Sequence, residues 1–383
     1  LKVKKGSEVT IHFVNNIGIP TTLHSHGVRL ENMYDGTPNA TQKEIAPGAA
    51  FTYKIKFPDE GVYWYHPHVR EDYAQEMGLY GNFIVEPTDE KYWSPVNMEV
   101  PLTVDDILIQ NGKIASFGVV STHTLMGRYG NVMLVNGSSN YSLNVKQGEV
   151  VRLYITNTSN TRVFNLSIPH VKLKLVGGDN GKYEKETFVT SVILGPSERV
   201  VVEALFDKAG TYGLVHTTPS KIYSMGSFNI SSEKVSPDYH AQFGILRVNQ
   251  DIIKSIDPFR SSFEKKADKN ISFFINAGGV GMHQMPDGSM MNGGHMMPDG
   301  TMMSDSYVQG STTGEKIEWE DTMWMMNNMS DASTMKWGIL DQDTGKQNHA
   351  IDWKFNVGDK VKIKIYNDPN TMHPMQHPFH GHG

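Results

Sequence analysis

The 383-residue chain has no cysteine. That excludes disulfides, thiolate zinc sites and a cysteine nucleophile within it. No run of about twenty apolar residues occurs, so no membrane span is expected. Basic charge is not in excess: the net charge is −6, which argues against a nucleic-acid partner. Helical periodicity is scarce. No secretion signal is visible, but the chain opens in mid-pattern at Leu1-Lys2-Val3-Lys4, which leaves room for one ahead of it. Asn39, Asn136, Asn140, Asn157, Asn165, Asn229, Asn270 and Asn328 each open a glycosylation-type sequon. They point to a secreted protein, extracellular or periplasmic.

What the chain does have is a repeat. Gly6 to Asn15 carries Val9, Ile11 and Phe13 alternating with polar residues, the period of a half-buried strand. The pattern returns from Gly148 to Asn157, with Val151, Leu153 and Ile155. It returns again from Gly358 to Asn367, with Val361, Ile363 and Ile365. A second signature runs from Pro47 to Gly61 and on into Val62-Tyr63-Trp64-Tyr65-His66-Pro67-His68. Pro196 to Gly210 repeats its spacing and leads into Thr211 to Thr217. Repeated units of short alternating strands predict related β-sandwich domains. The boundaries read as 1–88, 100–250 and 268–383, with a weakly patterned stretch from Ile252 to Asn270. The third unit shows only its first half, so the chain reads as a fragment.

Histidine is the residue type whose placement points to chemistry. His24-Ser25-His26, His66-Pro67-His68 and His380-Gly381-His382 are three His-x-His pairs. On an extended backbone both imidazoles of a pair face one way, so each pair suits a metal. His377, beyond Pro378, faces elsewhere and suits a second metal. Aligning Gly61 with Gly210 puts Val215 and Thr217 where the first unit has His66 and His68. The middle unit therefore keeps the fold without the ligands, and His216, out of register, reads as structural. Imidazole suits copper, zinc, iron and nickel. Structural zinc wants four clustered ligands, often cysteine. Pairs drawn from the first and third units favour a multinuclear copper site between them. Gly27 and Gly383 each follow a pair, where a side chain would crowd the metal or the facing strand.

His24-Ser25-His26-Gly27, His66-Pro67-His68 and His377-Pro378-Phe379-His380-Gly381-His382-Gly383 resemble three of the four copper motifs of the multicopper oxidases. The likeness is to the three-domain, laccase-like branch and covers essentially the whole chain. Ser25 stands where the family usually has tryptophan. The resemblance implies an all-β chain of three cupredoxin-like Greek-key β-sandwich domains, the third incomplete. It implies that His24 and His380 bind type 2 copper, that His26, His66, His68 and His382 bind the binuclear type 3 pair, and that His377 is a type 1 ligand. The fourth, His-Cys-His motif is not in the chain and is expected beyond Gly383. Asp35, before Gly36, sits where laccase-like relatives carry an acid linked to proton supply; Asp-Gly is also an ordinary turn dipeptide. Glu71, Asp72 and Glu76 read as loop or helix surface, and His373 as no ligand.

The implied activity takes single electrons from a reductant and passes four to dioxygen, giving water. The alternatives are a copper-binding or sequestering protein without turnover, and a copper nitrite reductase, against which the three pairs speak. The reductant reads as Cu(I) or a phenol. His283 to Met291 is echoed by His295 to Met303, with Pro-Asp-Gly at matched places, inside a Met-rich insert spanning 282–335. Thioether sulfur is soft and suits Cu(I); flexible packing is the other reading of these methionines.

Overall fold

The structure is a computed structural model that describes residues 1–277, 317–367 and 376–382. Strands dominate it, and the described chain forms two compact units. The first comprises Leu1–Ser121, Gly127–Ser261 and Pro378–Gly383; the second comprises Thr122–Met126 and Ser262–His377.

In the first unit, alternation builds a sandwich from residues 1–86. Strands β1 (Lys2–Lys4), β2 (Glu8–Val14), β3 (His24–His26), β4 (Ala50–Lys56), β5 (Gly61–His66) and β6 (Gly81–Glu86) are joined in part by the short helix α1 (Glu71–Ala74). One sheet runs β1-β6-β5-β3, and β2 pairs with β4. Tyr53 and Ile55 of β4 meet Tyr63, Phe83 and Val85 of the facing sheet in one core, with Val9, Ile11 and Phe13 of β2 packed on it. Because side chains alternate along β5, Val62, Trp64 and His66 take the other face. Val62 and Ile84 there pack on Tyr154, Val176 and Val201. β5 is thus covered on both sides, and His66 ends it inside the protein.

A larger sandwich follows. Its six-stranded sheet includes Met98–Ile107, Val150–Asn157, Lys172–Gly178 and Arg199–Leu205; its five-stranded sheet includes Phe164–Ser167, Gly210–Thr217 and Ile222–Lys234. Leu102, Leu153, Phe164, Val202 and Phe228 belong to the core between them.

The repeated asparagines have the same structural task in both sandwiches. Asn15 donates through Nδ2 to the carbonyls of Ile19 and Ile45 and accepts from the Ile17 N–H. Asn157 donates to those of Arg162 and Leu194 and accepts from the Ser159 N–H. Each side chain ties the end of its strand to a later segment and satisfies buried backbone groups. Gly61 and Gly210 also match, with φ of +152° and +144°. Where β3 pairs His24 with His66, the larger sandwich pairs Ser167 with Val215. His216 is fully buried; its Nδ1 accepts from the Asn165 N–H, and its ring stacks on Tyr223. That is a packing role.

The weak pattern after Ile252 hides a helix, Gln250–Arg260, with Pro258 inside it and no buried residue. Ile252, Ile253, Ile256 and Phe259 do recur at helical spacing, but the proline reads as a break. In the second unit Lys269–Ala277 pairs antiparallel with Met335–Asp341 and parallel with Ile363–Tyr366. The Met-rich repeats of 278–316 and His373 lie outside the described residues.

Candidate metal centre

The three histidine pairs converge within the first unit. His24 and His26 lie on β3, directly beside β5: His24 pairs with His66, and His26 with Trp64. Three contacts fix this short strand. The Leu23 N–H donates to the Tyr53 phenol oxygen at 3.0 Å. The β3–β5 ladder holds one edge. Gly36, at φ +83°, presses on the other side: a Cβ there would come 2.2 Å from the Leu23 carbonyl oxygen and 2.9 Å from the His24 nitrogen. Only glycine fits, and it places Asp35 behind His24.

His24 lies 5.3 Å from His66, 4.6 Å from His68, 5.7 Å from His380 and 4.4 Å from His382, ring centre to ring centre. The ligand atoms of His24, His68 and His382 fall within 4.8 Å of one another, as do those of His24, His26 and His66. His380 stacks face to face on His26 at 3.9 Å. It is not part of either group. His380 and His382 do not form the strand read from their spacing: residues 376–382 have no regular secondary structure. Pro378, which has no N–H to give a ladder, sits just before them. His377 belongs to the second unit, where its ring lies 4.9 Å from Phe273 and 4.7 Å from Trp337.

The outward nitrogen of each ring sets what the inward one offers. Nδ1–H of His24 donates to the Asp35 carbonyl oxygen at 2.6 Å, since a carbonyl can only accept. His66 does the same toward Pro67 at 3.0 Å. His382 donates from Nδ1 to Asp35 Oδ2 at 2.8 Å, and His68 from Nδ1 to the Glu71 carboxylate. In each ring Nε2 is left as the lone-pair donor. Nε2 of His24 and of His68 is buried with no hydrogen-bond partner. His26 differs, turning Nδ1 toward Nε2 of His66 at 3.3 Å.

For His24, His26, His66 and His380 the electrostatics favour the neutral ring in which imidazole binds a metal. Burial holds His24 and His26 below the usual range and His66 at about 3. Burial, with His382 nearby, takes His380 to about 4. His382 is raised, mainly by its bond to Asp35. Burial pushes the Asp35 carboxyl up, but His24, His382 and Thr37 outweigh it and hold the group below the ordinary carboxylate range. Thr37 donates to Asp35 Oδ2 at 2.6 Å.

Several neighbours escaped the sequence reading. Trp64, fully buried, stacks on His66 at 4.2 Å and lies 5.2 Å from His26, an indole beside the pocket although Ser25 replaces the family's tryptophan. Thr37 followed an Asp-Gly turn and gave no signal. Glu71 sits three residues past His68, which was visible, but nothing in the sequence said that the two side chains meet. Gly27 faces Arg199 Nη2, 2.7 Å from an added Cβ, so the crowding there is with a guanidinium rather than a metal. Gly383 lies outside the described residues.

Family models for multicopper oxidases match residues 1–90 and 89–233. The chain belongs to the multicopper oxidase family. It is 28% identical over 288 residues to multicopper oxidase mco of Staphylococcus aureus, covering 72% of this chain and 63% of that one. It is 29% identical over 226 residues to multicopper oxidase MmcO of Mycobacterium tuberculosis, covering 52% and 44%. Among solved structures, a multicopper oxidase from Pseudomonas thermotolerans aligns with a TM-score of 0.55 at 28% identity, covering 61% of this chain and 56% of that chain. One from Campylobacter jejuni, described as a metallo-oxidase, aligns with a TM-score of 0.55 at 25% identity, covering 74% and 57%. The chain thus spans less than two thirds of the length of these relatives. The fold is the all-β, cupredoxin-like fold of multicopper oxidases. Copper is this family's cofactor, and the donor set suits it: imidazole nitrogens, three of them on the buried His24, His26 and His66, with Nε2 of His24 and His68 without a hydrogen-bond partner.

Glu76, read as surface, is buried in a second cluster. It accepts from Asn160 Nδ2 at 2.9 Å and lies 3.4 Å from Arg128 Nε, with Asp105 and Asp106 nearby. Burial first, then the Asp106 charge, raise its carboxyl to about 7 from 4.5. A raised folded value means that stability is present in full below pH 4.5 and is lost as pH rises through about 7. At about 1.4 kcal/mol per pH unit the loss is roughly 3 kcal/mol. Glu76→Gln is expected to flatten this decline, melting several degrees above wild type at pH 8 and close to it at pH 4.5. Parallel melting curves at every pH would contradict the assignment.

Proposed function

We propose that the chain supplies the histidine half of a copper-dependent oxidase, in which a reductant gives up single electrons and dioxygen is reduced to water. The observation that carries this reading is the convergence of five imidazoles, those of His24, His26, His66, His68 and His382, whose ligand atoms fall into two groups of three sharing His24, with His380 stacked on His26. In this reading His24 and His380 hold type 2 copper, His26, His66, His68 and His382 hold the type 3 pair, and His377 serves type 1 copper. Copper bound there supplies the electron transfer to dioxygen. The chain holds, orients and screens: Asp35, Glu71 and the Pro67 carbonyl fix the rings from behind, and Trp64 covers the pocket beside β5. Asp35, in contact with His24 and His382, is proposed as the acid of proton supply. The domain reading is 1–88, 100–250 and 268–383, and the exposed sequon asparagines Asn39, Asn136, Asn140 and Asn328 support a secreted location, whereas Asn157 is buried.

For the reductant we propose Cu(I), with phenols secondary. The paired methionines of the two twelve-residue repeats offer soft donors, and the Campylobacter jejuni relative is described as a metallo-oxidase. Each Cu(I) loses one electron, so four are consumed with four protons per dioxygen reduced to two waters. Deleting Met282 to Met303 is expected to slow Cu(I) oxidation and to speed phenol oxidation. Both rates unchanged would overturn the substrate assignment.

The Met-rich repeats also fit a second reading, a copper-sequestering protein without turnover. Copper retained without dioxygen uptake, in the presence of Cu(I) or a phenol, would favour sequestration.

A further inference from the structure

We propose that Glu71 is a positioning residue for His68, and that with Asp35 it places two carboxylates behind the three-histidine group His24, His68 and His382. The proposal rests on the reading of the histidine cluster as a copper site.

The geometry is specific to this group. His382 bonds to Asp35 Oδ2, and His24 lies 3.4 Å from Oδ1 while bonding the same residue's carbonyl. His68 bonds to Glu71. Each ring of the group therefore has Asp35 or Glu71 at its outer nitrogen. The other group of three shares only His24 with it; there His66 leans on the neutral Pro67 carbonyl, and His26 turns its Nδ1 inward. A carboxylate behind a ligand imidazole fixes its tautomer and raises its basicity. It also adds negative charge, which favours Cu(II) over Cu(I) at this group.

Glu71 is held for this task. Arg70, just before it, adopts φ +49°, a left-handed conformation that is strained for a non-glycine residue. Arg70 grips Asp72 through two bonds of 2.8 and 3.0 Å and donates to the Val119 carbonyl at 2.9 Å. The strained residue reverses the chain between His68 and α1, so that Glu71 comes back onto the ring. Glu71 is 43% exposed at its side chain, so changing it removes little packing.

The test uses the copper-loaded protein and the variants Glu71→Ala, Glu71→Gln and Glu71→Asp. Copper retention against a chelator of known affinity is read together with the number of coppers held per chain. Alanine and glutamine are expected to weaken retention of one copper by roughly ten- to a hundredfold. The melting temperature of the copper-free protein should stay at the wild-type value. Aspartate, which keeps the charge, should recover part of the affinity. Retention curves of the alanine and glutamine variants that coincide with wild type would overturn the role of Glu71 and leave the copper site standing. A wild-type protein that binds no copper would overturn both.

Discussion

Replacing Asp35 with alanine is expected to cut copper retention at the histidine cluster by roughly a hundredfold. Loss of one orienting partner behind a metal-bound histidine costs about ten- to a hundredfold in affinity, and Asp35 touches two. Its Oδ2 takes the His382 Nδ1–H, and its Oδ1 lies 3.4 Å from His24 Nδ1. Alanine leaves His382, a residue outside any strand, without its anchor in residues 1–86. His24 keeps the backbone carbonyl of residue 35 and so should keep its tautomer. Metal analysis after dialysis against chelator checks this. Asp35→Asn, which retains one acceptor oxygen, should fall between alanine and wild type. Full copper content in Asp35→Ala would reduce Asp35-Gly36 to a turn.

The largest effect on stability is expected at Arg162. Its side chain is 1% exposed, its Nε donates to Asp106 Oδ2 at 2.7 Å, and its Nη2 donates to the Gly130 carbonyl at 2.8 Å. Asp106 also accepts from the Gly130 N–H at 2.6 Å. Removing one partner of such a pair leaves a buried charge uncompensated, at a cost of about 3–5 kcal/mol. Arg162→Ala should therefore melt on the order of 10 °C lower. Replacing Arg162 and Asp106 together by apolar residues should recover much of that loss. A double variant as unstable as Arg162→Ala would show that the guanidinium acts mainly by packing on Tyr129 and Tyr223.

Periodicity made the sheets legible, because β2 and Val150–Asn157 each pack one side chain in two against a core. The recurrence of Asn15 and Asn157 was visible, and the structure supplies the reason: each closes the same set of backbone hydrogen bonds. The convergence of the histidine pairs also follows from their spacing, since β3 lies beside β5. What the sequence hid was distance. Glu71 reaches His68 only because Arg70 turns the chain back, and φ +49° at an arginine leaves no mark in composition. Glu76 looked like an ordinary surface charge, and nothing in the sequence singled out Arg162. Their burial depends on Asn160, Asp106 and Arg128, which arrive from elsewhere in the chain. His380 and His382 kept the right spacing but not the expected strand, because Pro378 cannot join a ladder.

The central claim is that these imidazoles share a copper cluster. The most direct measurement is diffraction from copper-soaked crystals at the copper absorption edge. Anomalous density is expected about 2 Å from the ring nitrogens of His24 and His380, and again about 2 Å from those of His26, His66, His68 and His382. Copper density elsewhere on the protein, with none among these rings, would contradict it.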